Sequence, residues 1–233
     1  MNHCKGTNFS AVILAGGQSR RMGRDKAWLP LAGKSLLARQ VELVRQLGPA
    51  EVFIAGRADT DYRALGCRVL TDRFFDAGPL AGIERALEAT TSPRLLVLAV
   101  DLPNLTVPFL RRLAIGCAGE AGVVSRYDGH IEPLVAFYPK AAWPVLVRLL
   151  DEHLRRPPAA VAGSGVRGLP VVGKREEKGA SVTRFAELCV AAGLVNFLDV
   201  SAADARCFAN WNSPADLAAS QVLAPRHLLF STP

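Results

Sequence analysis

Leu14-Ala15-Gly16-Gly17-Gln18-Ser19-Arg20-Arg21-Met22-Gly23-Arg24-Asp25-Lys26 decides how the rest of the chain is read. It follows the apolar run Ala11 to Leu14, which has the length and character of a buried strand. Glycines allow a tight turn and a close approach of backbone to ligand, because no Cβ intervenes. Successive backbone N–H groups in such a turn form an anion-binding concavity, and the arginines and lysine add full charges beside it. A strand running into a glycine- and cation-rich loop predicts a polyphosphate site.

The loop is not a Walker A motif. Its Gly33-Lys34-Ser35 would require a glycine at position 28, where Trp28 stands. Nor does G-x-G-x-x-G follow the first strand. The spacing L-A-G-G-x-x-x-R-M-G-x-D-K instead resembles the N-terminal loop of the molybdenum cofactor guanylyltransferases, within the sugar-nucleotide type of nucleotidyltransferase. Further matches follow in order: Val69-Leu70-Thr71-Asp72, Gly78-Pro79-Leu80-Ala81-Gly82, Leu95 to Pro103 with Asp101, Glu132 to Tyr138, and Phe208 to Leu217 with its Asn210-Trp211-Asn212-Ser213-Pro214 core. The resemblance covers roughly Ala11 to Ala218 and is densest in the first half.

The 233 residues are half hydrophobic, enough for a substantial core. They predict a single domain over 1–233, with a nucleotide-binding half at 1–103 and an acceptor-binding half at 104–233. No apolar run is long enough to span a membrane, and Met1 to Ser10 lacks a secretory core, so a cytoplasmic protein is expected. Five scattered cysteines without a C-x-x-C pair predict reduced thiols. The net charge of +7 suits anionic small molecules. No aromatic-interleaved basic stripe points to nucleic acid, so neither nucleic acid nor membrane is an expected partner.

Strands are predicted at Ala11–Leu14, Val52–Ala55, Arg68–Leu70, Leu95–Val100, Gly122–Ser125, Leu134–Tyr138 and Phe197–Val200. Helical periodicity falls at Ser35–Leu47, Ile83–Ala89, Val107–Cys117, Pro144–Leu154, Val182–Ala192 and Pro214–Val222. This alternation predicts an α/β fold: a three-layer, doubly wound, mostly parallel sheet of the Rossmann-like nucleotidyltransferase kind. In such sheets ligands lie at the carboxyl ends of strands. Gly16, Asp72 and Asp101 each follow a predicted strand, which places them along one crevice. The Gly- and Pro-rich stretch 155–179 is expected to be a long loop, a candidate lid over the second substrate.

The chemistry expected is transfer of a nucleoside monophosphate from a triphosphate to a phosphate acceptor. It requires two anions positioned and neutralised rather than covalent catalysis. Leu14, Ala15, Gly16 and Gly17 would wrap the nucleotide with backbone groups. Arg21 and Lys26 would neutralise the β- and γ-phosphates and the leaving pyrophosphate. Asp101 would hold Mg²⁺, which takes one or two carboxylates and leaves its other positions to phosphates and water. The resemblance further implies nucleotide contacts for Asp72, Gly78, Pro79, Leu80 and Gly82, and second-substrate contacts for Asn210 and Asn212. Asp72 has an alternative as a cap or turn residue, and Asn212 one as a helix cap.

The same resemblance implies GTP as donor, because L-A-G-G and G-P-L-A-G look like the guanine-selecting versions of the two loops. It implies molybdenum-molybdopterin as acceptor, and a molybdoenzyme or another cofactor-biosynthesis protein as protein partner. Ile54 stands where the family often has an asparagine near the nucleotide. A cytidylyltransferase for the same cofactor, another sugar- or alcohol-phosphate nucleotidylyltransferase and a non-catalytic cofactor-delivery adaptor are the competing readings.

Overall fold

The computed structural model describes residues 8–16, 25–74, 77–155 and 180–209. β1 (Phe9–Leu14) is buried on both faces, as a central parallel strand must be. A short hairpin follows, β2 (Pro30–Leu31) and β3 (Lys34–Ser35). Its two-residue turn, Ala32-Gly33, has positive φ at both positions, the geometry that matches strand twist in tight hairpins. Ser35 ends that strand and caps α1 (Leu36–Arg45), its hydroxyl accepting from the Ala38 amide at 3.2 Å.

Then come β4 (Val52–Ala55), β5 (Arg68–Leu70), α2 (Pro79–Ala89), β6 (Arg94–Ala99) and α3 (Val107–Ile115). The second half contains β7 (Gly122–Tyr127), β8 (His130–Pro139), α4 (Trp143–Arg155), α5 (Val182–Ala191) and β9 (Val195–Asp199). α2 begins four residues before the expected Ile83. Pro79 occupies its first turn, where the missing N–H is no loss and φ is preset. The expected helix Pro214–Val222 lies outside the described residues, as does 156–179 of the expected lid.

Seven strands form one sheet in the order β5-β4-β1-β6-β8-β7-β9. β5, β4, β1 and β6 run parallel. β8 alone is reversed, antiparallel to both β6 and β7, and β9 returns parallel to β7. The reversal starts at Asp128-Gly129, again a two-residue turn with both φ positive. The sheet is therefore mostly parallel, with one antiparallel strand and a bulge between Val124 and Ser125 of β7.

Alternate residues of each strand feed opposite faces. Ala11, Ile13, Leu96 and Leu98 join Leu37, Val41 and Phe109 on the α1–α3 face. Val12, Leu95 and Val97 join Ile83, Leu146 and Phe185 on the α2–α4–α5 face. Helices on both faces make the three layers. No described helix is long and apolar enough to cross a membrane. Cys67, Cys117, Cys189 and Cys207 are free thiols, and burial pushes Cys117 to about 11 and Cys189 to about 12, well into the protonated range.

Candidate active site

The strand order changes direction between β1 and β6. α1 leads from β1 to β4 on one side, while α2 carries the chain from β5 back across to β6 on the other. Loops leaving a sheet at such a point diverge and open a crevice. The chain after β1 keeps pairing briefly: the Ala15 amide donates to the Ala55 carbonyl at 2.8 Å, and the Val100 amide to the Leu14 carbonyl at 3.3 Å. Gly16 and Asp101 thus leave neighbouring strands at the same edge.

Gly16 is exposed there. Among the described residues, the nearest atoms that a Cβ on Gly16 would meet are the Ala55 carbonyl oxygen, at 3.7 Å, and Gly56, at 3.9 Å, which are ordinary contacts. Among the described residues nothing requires glycine at this position. Gly82 is the opposite case: a Cβ would come within 2.7 Å of Ala55 Cβ and 3.0 Å of Leu14 Cδ2. Gly82 is buried where α2 presses on β1 and β4, and its absent side chain is explained by packing. Leu80 likewise sends its side chain into the core. Gly78 and Pro79 are exposed at the start of α2, and Gly78 takes φ 56°, a conformation that favours glycine.

Lys26 opens a short 3₁₀ turn, Lys26–Trp28, capped by Asp25, whose carboxylate accepts from the Ala27 amide at 3.0 Å. The Lys26 ammonium lies 3.6 Å from the Asp101 carboxylate, the two side chains being 20% and 28% exposed. Residues 75 positions apart are thus brought together at the crevice, both still reachable from solvent.

Asp72 follows β5 on the same edge. β5 is two strands from β1, roughly 10 Å at normal strand spacing. Its Oδ1 would lie 3.8 Å from a Cβ on Gly82, beside the first turn of α2. Burial raises the Asp72 pKa, countered by the charge of Arg85 and reinforced by that of Glu84. The next residue, Arg73, pairs with Glu84 at 3.0 Å and Glu88 at 2.5 Å. Glu84 is 1% exposed and also accepts from Trp143 Nε1 at 3.0 Å. This network ties the segment after β5 to α2 and α4.

Leu14, Ala15, Gly16, Lys26, Asp72, Gly78, Pro79 and Asp101 all lie along this carboxyl edge. Gly17, Arg21, Asn210 and Asn212 fall outside the described residues. Ile54 does not reach the crevice: it is fully buried within β4, and Ala55, the last β4 residue, and Gly56 after it lie next to Gly16. An asparagine at 54 would be a core residue here, so the absence of one removes no contact from the crevice.

Two features escape the sequence reading. Trp28 is 40% exposed and stacks on buried Tyr62, with centroids 5.9 Å apart, so an aromatic surface adjoins Lys26. Glu132 is half-buried at the start of β8, and burial raises its pKa. Because β8 is antiparallel to β6, with Val135 opposite Leu98, its first residues run past the end of β6 toward the same edge. The hairpin signal Asp128-Gly129 was present in the sequence and would have indicated this reversal.

The MobA-like NTP transferase domain matches residues 11–172. A probable molybdenum cofactor guanylyltransferase of Opitutus terrae is 40% identical over 134 residues, 56% of this chain and 66% of the relative, so the match spans just under two thirds of that relative's length. A molybdenum cofactor guanylyltransferase of Pseudomonas putida is 34% identical over 165 residues, 69% of this chain and 85% of the relative. Among solved structures, molybdopterin-guanine dinucleotide biosynthesis protein A from Archaeoglobus fulgidus superposes with a TM-score of 0.63 at 21% identity, covering 92% of this chain and 97% of that one. A nucleotidyl transferase from Methanothermobacter gives 0.66 at 19% identity, covering 94% and 98%.

Proposed function

We propose a reaction from one premise: the chain belongs to the MobA-like NTP transferase family and is a nucleotidyltransferase. The proposed reaction moves GMP from GTP to the terminal phosphate of molybdenum-molybdopterin, releasing pyrophosphate and forming the guanine dinucleotide cofactor. The names of the Opitutus terrae and Pseudomonas putida relatives support this choice of nucleotide and acceptor. The observation that carries it is the Lys26–Asp101 pair at the β1/β6 switch point, beside an exposed glycine that no neighbour among the described residues requires.

Without ligand, Lys26 and Asp101 balance each other's charge. With a metal–triphosphate complex bound, each would have a new partner: Asp101 would hold the cation and Lys26 the β- and γ-phosphates. The residues fit Mg²⁺, since one accessible carboxylate supplies hard oxygen ligands and the remaining positions belong to phosphates and water. Bound there, Mg²⁺ would draw charge from the phosphate oxygens as pyrophosphate leaves. Lys26 holds the leaving group as negative charge develops on it. The turn at Gly16 lets the backbone approach the base, Asp72 lies where a ribose or base would extend along the sheet edge, and Gly78–Pro79 close the far side. Arg21 adds a second cation to the phosphates, and Asn210 and Asn212 meet the acceptor.

In this reading 1–103 forms the nucleotide half and 104–233 the acceptor half of one domain working in the cytoplasm. The product passes to a molybdoenzyme or another cofactor-biosynthesis protein. Calorimetric titration with GTP, CTP, ATP and UTP, each with Mg²⁺, tests the donor. GTP-selective binding is expected, and release of pyrophosphate on adding molybdopterin should follow. A preference for CTP overturns the base assignment, and no binding of any triphosphate overturns the reaction.

A further inference from the structure

α1 packs an apolar stripe, Leu36, Leu37, Val41 and Val44, against the sheet. Gln40 interrupts it. This residue is 3% exposed, and its Nε2 donates to the Leu102 carbonyl at 2.7 Å, across 62 residues of sequence. Its Oε1 is buried and has no partner. A half-satisfied buried amide costs stability that leucine or methionine of similar size would not. Gln40 itself lines a groove with Arg39, Glu42, Leu43 and Pro103, yet its Oε1 atom is sealed from solvent, so the groove does not supply the missing bond. Local stability therefore does not explain why glutamine is there.

Its partner does. Leu102 directly follows Asp101, and the Leu102 carbonyl also accepts from the Leu105 amide at 3.3 Å, closing the turn that comes directly after the carboxylate. α1 in turn is joined to the Lys26 segment, the Leu36 amide donating to the Leu29 carbonyl at 3.0 Å. Gln40 thus ties α1, joined to the Lys26 segment, to the residue directly after Asp101. Under the reaction proposed above, the Lys26–Asp101 ion pair opens when metal and triphosphate bind. The Gln40–Leu102 bond does not involve either charge and persists.

We infer that Gln40 is a positioning residue: it holds the Asp101 turn at the distance from Lys26 that a metal–triphosphate complex requires. It touches no substrate and acts through the Leu102 carbonyl. This inference rests on the proposed metal role of Asp101.

The test is Mn²⁺ binding in the presence of GTP, read from the free-ion resonance, together with steady-state kinetics, on the full chain. Gln40→Met keeps the volume and loses the donor. Gln40→Asn keeps the amide but is one carbon too short. Both are expected to lose roughly tenfold or more in Mn²⁺ affinity, as supporting groups around metal ligands do. Both should lose kcat in proportion, with KM for GTP within about threefold of wild type on the same reasoning. The unfolding midpoint of Gln40→Met should be unchanged or raised. Affinity and kcat within about twofold of wild type in a folded Gln40→Met protein overturn the inference, since that is well below such supporting-group effects. Loss of fold in both variants also overturns it and makes Gln40 structural. Asp101→Ala separates the two readings: if it binds Mn²⁺ as wild type does, the metal role of Asp101 falls. If it loses Mn²⁺ while Gln40→Met does not, only the positioning role falls.

Discussion

The two halves of the sheet are built by different rules. From β5 to β6, four parallel strands end at one edge, and the loops beyond them carry Gly16, Asp72 and Asp101. From β8 to β9 the chain turns back on itself through a tight hairpin and a bulge. Arg126 of β7 and Asp199 of β9 meet across the paired strands at 2.6 Å. The first half therefore spends its sequence on what leaves the strands, the second on how the strands meet. Substitutions in the first half should move activity at nearly constant stability, and substitutions in the second should do the reverse.

The largest expected effect sharpens this contrast at the β1/β6 crevice. Asp101→Ala should lower kcat by on the order of a thousandfold, and Lys26→Ala by on the order of a hundredfold, the scale of removing a preorganised electrostatic group. Both side chains are partly exposed, and solvent screens the ion pair between them. Their unfolding midpoints should stay within a few degrees of wild type. Loss of fold with loss of activity in either variant would break the comparison.

The mirror experiment lies at β7. A Cβ on Gly122 would fall 2.0 Å from the Phe137 carbonyl oxygen and 3.0 Å from Pro139. Backbone cannot yield as a flexible side chain can, so Gly122→Ala must push β7 away from β8. A cost of about 3 kcal/mol is expected, the upper range for overpacking. Below its midpoint the variant should bind GTP as wild type does, which a thermal melt paired with calorimetry would show.

Gly82→Ala should fall between these cases. The added methyl meets Ala55 Cβ at 2.7 Å and Leu14 Cδ2 at 3.0 Å, so α2 must lift from the ends of β1 and β4. About 1–2 kcal/mol of stability should be lost. KM for GTP should rise too, because the same shift moves Leu14 and the start of α2. A stability loss with KM unchanged would show that the first half tolerates distortion as the second does.

The contrast also explains what could be read from sequence. Parallel strands buried on both faces appear as unbroken apolar runs, so Val52–Ala55 matches the observed strand and β1 and β6 differ by one or two residues at their ends, while the short edge strand Arg68–Leu70 also matches. Their loops announce themselves with glycines and acids. In the second half β8 begins at His130, not Leu134, because Pro133 and the polar Glu132 hide a strand that a tight turn and neighbouring strands maintain. The Lys26–Asp101 pairing was legible as two residues of the right chemistry, but their 3.6 Å approach depends on the strand order. Gln40 was not legible, because a lone glutamine on an amphipathic helix carries no sign of a partner 62 residues away. Glu84 is hidden for the same reason: its burial comes from Arg73 and Trp143.

The smallest effect asks whether Asp72, in the first half, carries a stability cost of its own. Burial raises the Asp72 pKa above its unfolded value, with Arg85 offsetting part of the rise. The folded state therefore takes up the proton more readily than the unfolded chain does. Wild-type stability falls as pH rises through the unfolded value, near 3.9, up to the raised folded one, and the penalty is then constant at neutral pH. Asparagine at 72 has no charge to desolvate. Asp72→Asn should be more stable than wild type at neutral pH by a few tenths of a kcal/mol, because solvent screens a group at this edge. The difference should shrink as pH falls and vanish below about pH 4. GTP affinity should fall at the same time if Asp72 meets the nucleotide. Urea unfolding of both proteins between pH 4 and 8 measures the first effect and calorimetry the second. A stability difference independent of pH would assign Asp72 to turn capping, the role its position after β5 also allows.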